Sequence, residues 1–223
     1  GVFGECYHGY KIGDEIILMQ NDFPADILPW LVLEHKGVRV RQIKARHKVI
    51  QPDELAEHIT DRTKLFCISH VHTFTGIVLA VEQFAEICKQ HGVLFVLNLS
   101  QSVGTMPIDL SKLSVDAVVS AGYKWLCGPY GTGFCWIQPE LRERLNVTQA
   151  YWSAVLSKED LKGEEALTMK ELKTARVYDV FGTANFFNFV PFKAAIDYFL
   201  KVGLDNVRAY HDRLIDLLVQ ELN

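Results

Sequence analysis

The chain has 223 residues, 49% of them hydrophobic and 22% charged, with a formal net charge of -4. That length supports one sizeable core, and the charge leaves no basic footprint for nucleic acid. No run approaches the roughly 18 apolar residues that span a bilayer, so no membrane partner is expected, and the N-terminal residues lack a secretion-signal pattern.

The five cysteines (Cys6, Cys67, Cys88, Cys127 and Cys135) form no CxxC pair and no metal-ligand spacing. They read as reduced, packed thiols of a cytoplasmic protein, and a metal site is not expected. In chain order, short apolar and β-branched runs predict strands over residues 15–19, 38–43, 65–70, 94–99, 117–121 and 133–137. Helical patterns lie between them over 24–35, 52–60, 81–91 and 139–145. Three of these open with proline (Pro24, Pro52, Pro139) and one stops at Gly92, as helix ends should. This alternation predicts an α/β fold: a mostly parallel sheet between two helical layers. Ligands of such sheets bind beyond the carboxyl ends of the strands, which directs attention to the residues that follow each strand.

After Trp152 the character changes. The charged stretch 157–173 reads as a mobile loop or short helix, and Val180-Phe181-Gly182-Thr183-Ala184-Asn185 leads into helical patterns over 186–201 and 204–223. The first residues carry no helix or strand start signal, and the last helix stops on its apolar period. The chain is therefore expected to be a piece of a longer protein, shortened at both ends.

Lys124 lies in Ser120-Ala121-Gly122-Tyr123-Lys124-Trp125-Leu126-Cys127-Gly128-Pro129-Tyr130-Gly131-Thr132-Gly133, after a strand and before a loop too rich in glycine for a helix or strand. A partly desolvated amine there can lose its proton and attack a carbonyl to form a Schiff base. A solvated surface lysine is the plain alternative. Two other strand ends are polar: Ser69-His70-Val71-His72-Thr73-Phe74-Thr75-Gly76 and Asn98-Leu99-Ser100-Gln101-Ser102-Val103-Gly104.

Together these segments resemble the fold type I pyridoxal-phosphate enzymes, and most closely the class V aminotransferase group, which also holds cysteine desulfurases, kynureninases and isopenicillin N epimerase-like proteins. The group's pattern is an Asp, a Gln three residues on, and a Lys before a Gly-Pro-x-Gly-x-Gly loop. Residues 98 to 133 meet it, with Asn98 at the Asp position. The resemblance implies a three-layer α/β/α large domain over 1–202 lacking its N-terminal part, and over 203–223 a helix leading to a small C-terminal domain. The implied cofactor is pyridoxal 5'-phosphate and the implied substrate an amino acid. Lys124 would be the Schiff-base lysine and the proton carrier at the substrate α-carbon. Gln101 would bond the cofactor's phenolic oxygen, and Phe23 would stack on its ring or else anchor a helix start. Gly182 and Thr183 resemble a phosphate contact from a neighbouring subunit, which implies a homodimer. For the phosphate, Ser120 is a candidate one position earlier than the family's hydroxyl, where Ala121 stands; on a strand it would face the other way. A second phosphate loop of the family, upstream of Gly13, is expected to be missing.

Asn98 departs from the pattern. A carboxylate stabilises a protonated ring nitrogen, whereas a neutral amide leaves a weaker electron sink and costs on the order of 1.5 to 3 kcal/mol. Three readings stay open: chemistry that needs a weaker sink, a relative that binds cofactor without turnover, or another acid (Asp22 or Asp26) in the missing role. The first accords best with the presence of both Lys124 and Gln101. Within the group, a cysteine desulfurase or C–S lyase remains the alternative to an aminotransferase-like enzyme.

His70 and His72 flank Val71 and would share one face of an extended chain, with His72 lining the substrate pocket or serving structure alone. Tyr123 could bond phosphate or pack. Arg176 is a candidate carboxylate partner or a solvated linker residue. Cys127 reads as a packing thiol.

Overall fold

The computed structural model describes residues 9–145, 151–163, 165–168, 174–178 and 185–222. Six strands form one sheet in the order β2-β1-β3-β4-β5-β6: β1 (Glu15–Met19), β2 (Arg39–Ile43), β3 (Thr63–Ser69), β4 (Leu94–Asn98), β5 (Ala117–Ala121) and β6 (Gly133–Ile137). Every pairing from β2 to β5 is parallel, and β6 alone runs antiparallel to β5. The helices are α1 (Pro24–Leu31), α2 (Pro52–His58), α3 (Val81–His91), α4 (Pro139–Arg142), α5 (Trp152–Val155), α6 (Phe186–Val202) and α7 (Leu204–Leu222). The expected long first helix is split: α1 passes at Leu31 into a 3-10 segment, Val32–Lys36, that ends at Gly37.

Alternate residues of the central strands feed two separate cores, as a sheet covered on both faces requires. Ile17, Met19, Phe66, Ile68, Phe95, Leu97 and Val118 pack with Leu55 of α2 and with Phe84, Ala85 and Cys88 of α3. Ile16, Leu18, Leu65, Cys67, Leu94, Val96 and Ala117 face Trp30 of α1, Leu33, and Leu141 of α4. The three-layer α/β/α arrangement is therefore present. On the edge strand β2, Arg39 and Arg41 reach across to the buried carboxylate of Glu15, which Thr60 Oγ1 also bonds at 2.9 Å.

The 122–132 loop after β5 is held by close packing. Gly122 and Gly128 sit against the Phe192 ring of α6, where a Cβ would come within 2.7 and 2.5 Å of ring carbons. Gly104 (φ +99°) lies under the same loop, with room for no Cβ because Trp125 O would be 2.5 Å away. Beyond Phe192, α6 and α7 bury no side chain among the described residues. No helix among those residues is long and apolar enough to cross a membrane.

Candidate active site

β3, β4 and β5 end side by side, and a cleft of about 240 Å³ opens at their carboxyl ends. Lys124, Phe23, Asp26, Asn98 and Ser120 all line it. Lys124 Nζ lies 4.9 Å from the centroid of the Phe23 ring, a cation–π distance. Phe23 stands immediately before α1, and its backbone N–H donates to Asp22 Oδ1 at 2.7 Å.

The floor of the cleft is a buried polar network joining three elements. Asn98 Nδ2 lies 2.8 Å from both carboxylate oxygens of Asp26, and Asn98 Oδ1 accepts the Ser100 N–H at 2.9 Å. Ser69 Oγ is 2.8 Å from Asp22 Oδ1 and 2.8 Å from Asp26 Oδ2, and the Ser69 N–H donates to Asp22 at 2.9 Å. Burial pushes the Asp26 carboxyl up to about 6; the charge of Asp22 adds to the rise, while bonds from Asn98 and Ser69 and the positive Lys124 oppose it. Of the two acids weighed from sequence, Asp26 is the one bonded to Asn98, and Asp22 is spent on the backbone of Phe23 and Ser69.

Ser120 is buried and lines the cleft beside Lys124, its hydroxyl donating to Ala121 O at 3.1 Å. Ser100 ties the two strand ends together, its Oγ accepting the Ala121 N–H at 2.9 Å. Gln101 is held from the lysine side: its Oε1 accepts the Trp125 Nε1–H at 3.1 Å, and its Nε2 reaches Thr73 Oγ1 at 3.4 Å. Tyr123 stacks on Tyr130 with ring centroids 4.8 Å apart.

The two histidines line different cavities. Past Ser69 the chain stays extended, with His70 N–H bonded to Asn98 O and Val71 bridged to Val78, and it turns after His72, whose O accepts the Gly76 N–H. His70 points into a small cavity with Glu82, Asp109 and Lys112; burial holds its imidazole below the ordinary histidine range. His72 lies in a separate cavity, both ring nitrogens engaged, with Thr75 Oγ1 at 2.9 Å and Asn21 O at 3.0 Å. Cys127 is no packing thiol: it is exposed, at φ +54°. Gly182, Thr183 and the Arg176 side chain lie outside the described residues. No group of three His, Cys, Asp or Glu side chains that could hold a metal occurs among those described.

An amine, an aromatic face and an amide–carboxylate pair in one cleft form the donor set that an aldehyde-bearing, electron-poor pyridine ring would use. The family model described as aminotransferase class-V matches residues 3–223. The chain belongs to that family. Its enzymes are pyridoxal-phosphate enzymes of fold type I, as the lysine segment implied. A probable cysteine desulfurase of Methanothermobacter thermautotrophicus is 25% identical over 210 residues, 94% of this chain and 51% of that protein. An uncharacterized aminotransferase of Bacillus subtilis is 28% identical over 193 residues, 86% of this chain and 49% of that protein. The apo structure of a cysteine desulfurase from Thermococcus onnurineus superposes with a TM-score of 0.83 at 23% identity, covering 99% of this chain and 54% of that one. The chain thus spans about half the length of the curated relatives it matches.

Proposed function

We propose that the protein is a pyridoxal-phosphate enzyme acting on an amino acid, with Lys124 as its reacting amine. The observation that carries this is the meeting of Lys124, Phe23 and the Asn98–Asp26 pair in one cleft of a class V chain. The cofactor, when bound, supplies an aldehyde that condenses with an amine and a ring that draws electrons from the substrate α-carbon. Lys124 would hold it through its amine and would take and return the proton at that carbon. Phe23 covers one ring face, a contact worth about 1 kcal/mol. Gln101, its oxygen occupied by Trp125 and one N–H directed to Thr73, has its second N–H for the phenolic oxygen. Ser120 serves the phosphate on this side, and Gly182 and Thr183 of a second copy serve it from the other, so the working unit is a homodimer. His72 orders the turn beside the site through Asn21 and Thr75. Residues 1–202 form the cofactor domain, 203–223 begin the connection to a smaller one, and the enzyme works in the cytoplasm.

The second reading, a cysteine desulfurase or C–S lyase, is favoured by what the Methanothermobacter and Thermococcus proteins are called. Both readings give Lys124 the same work and differ in the fate of the substrate's sulfur. The test is to add pyridoxal phosphate to the full chain and follow imine absorbance. Cysteine and other amino acids are then offered, assaying sulfide release and α-proton exchange with deuterated water. Imine formation with exchange but no sulfide supports the first reading, and sulfide from cysteine the second. No imine at all defeats both.

A further inference from the structure

The cleft contains a buried acid that the fold does not need. Asp22 already accepts the Phe23 and Ser69 backbone N–H groups that close the turn before α1 onto β3. Asp26, one helical turn on, accepts no backbone N–H. It sits 4% exposed, facing Asp22 from its own segment, Ser69 from β3, Asn98 from β4 and Lys124 from the loop, with the buried Cys67 thiol close enough to feel its charge. The Ser69 hydroxyl has one proton for two carboxylates 2.8 Å away, so one of them is short of a donor. Two buried carboxylates sharing one hydroxyl proton are costly even with Asn98 and Lys124 beside Asp26, and a further positive charge in the cleft would relieve them.

The Asn98 amide decides where that charge belongs. Its NH₂ is turned to Asp26 and its carbonyl to the Ser100 N–H. Turning the amide over would set oxygen against carboxylate and NH₂ against N–H, so the orientation is fixed. What Asn98 has left for a ligand is the second lone pair of its carbonyl. A ring nitrogen that meets an amide oxygen must bring a proton, because two acceptors cannot bond each other. A carboxylate holding the far side of the amide also polarises it and makes its oxygen the stronger acceptor.

We propose that Asp26 and Asn98 act as one unit toward the ring nitrogen of the cofactor, Asp26 supplying the negative charge and Asn98 relaying it through its amide. This rests on the pyridoxal-phosphate reading above. Asp26 is a positioning residue that acts through Asn98, and the pair restores the electron sink that an isolated asparagine would weaken.

The test uses the full chain loaded with pyridoxal phosphate carrying ¹⁵N at the ring nitrogen. Its ¹⁵N chemical shift reports the proton, and a fluorescence titration gives cofactor affinity. The wild type is expected to hold a protonated ring nitrogen at neutral pH. Asp26→Asn should lose that proton and bind cofactor about ten- to a hundredfold more weakly. The isosteric exchange Asp26→Asn with Asn98→Asp should restore both. If Asp26→Asn does not fold, Asn98→Ala cuts the relay at its other end and should also leave the nitrogen unprotonated. An unprotonated nitrogen in the wild type overturns the proposal, as does a proton or an affinity that survives Asp26→Asn, or a proton that survives Asn98→Ala. A wild type that forms no imine defeats the pyridoxal-phosphate reading itself, and that is seen before any variant is made.

Discussion

On one wall of the cleft, Asp22, Ser69, Asp26 and Asn98 lie buried at the ends of β3 and β4 and bond one another across three elements. On the other, Lys124 stands half-buried between exposed Tyr123 and Trp125, in a loop shaped by Gly122 and Gly128 against Phe192. The acidic wall inherits its precision from the sheet and α1, since Ser69 and Asn98 end β3 and β4, Asp26 lies in the first turn of α1, and each contact is a short polar one. The lysine wall is placed by the closeness of backbones, which only residues without a Cβ permit. Under the proposed function the two walls would divide the work: carboxylates held by a helix start and two strand ends would set the electrostatics, and an amine on a glycine-built loop would move the proton.

The largest expected break in this division is Lys124→Ala. It should abolish imine absorbance and cut turnover by about 10³-fold, while far-UV circular dichroism stays unchanged. Gly104→Ala attacks the placement of the same wall. A Cβ there meets Trp125 O at 2.5 Å on a backbone of φ +99°, so the loop must lift. Thermal melting should show a loss of about 3 kcal/mol, with weaker cofactor binding alongside.

The acidic wall is sharpened by pH. The Asp26 carboxyl, ordinarily near 3.8, stands at about 6 in the fold, so the folded protein holds that proton more tightly than the unfolded chain. The stabilisation this gives is fully present below 3.8 and is lost as pH rises through about 6, a change on the order of 3 kcal/mol. In melting curves of the cofactor-free protein from pH 3.5 to 7, Asp26→Asn should flatten that part of the slope, and an unchanged slope would remove Asp26 as its source. The smallest effect belongs to the link between the walls. Trp125→Phe deletes the 3.1 Å bond to Gln101 and should cost about 1 kcal/mol by melting.

Much of this was legible from the chain. The strand runs lie within a residue or two of the observed bounds because both sheet faces are covered and the central strands are continuous apolar runs. Sheet order was not legible, since it depends on which distant strands pair. The reversal of β6 left a usable sign: the connection at 122–132 is glycine-rich and has no helix, and a parallel crossover would need one. Of the site, Lys124, Phe23, Asn98 and Ser120 were named from sequence and share the cleft. Asp26 was named as a substitute acid, but its bond to Asn98 spans 72 positions in the chain, beyond the reach of any local pattern. His70 and His72 line different cavities, which depends on the distant segments packed around the end of β3 and not on the local pattern.

The central claim is that Lys124 carries the cofactor, and one measurement addresses it directly. The full chain is loaded with pyridoxal phosphate, reduced with borohydride, digested and mapped by mass spectrometry. The account predicts a pyridoxyl adduct on Lys124 and its absence from Lys124→Ala. An adduct on a different lysine, or none on the wild type, would contradict it.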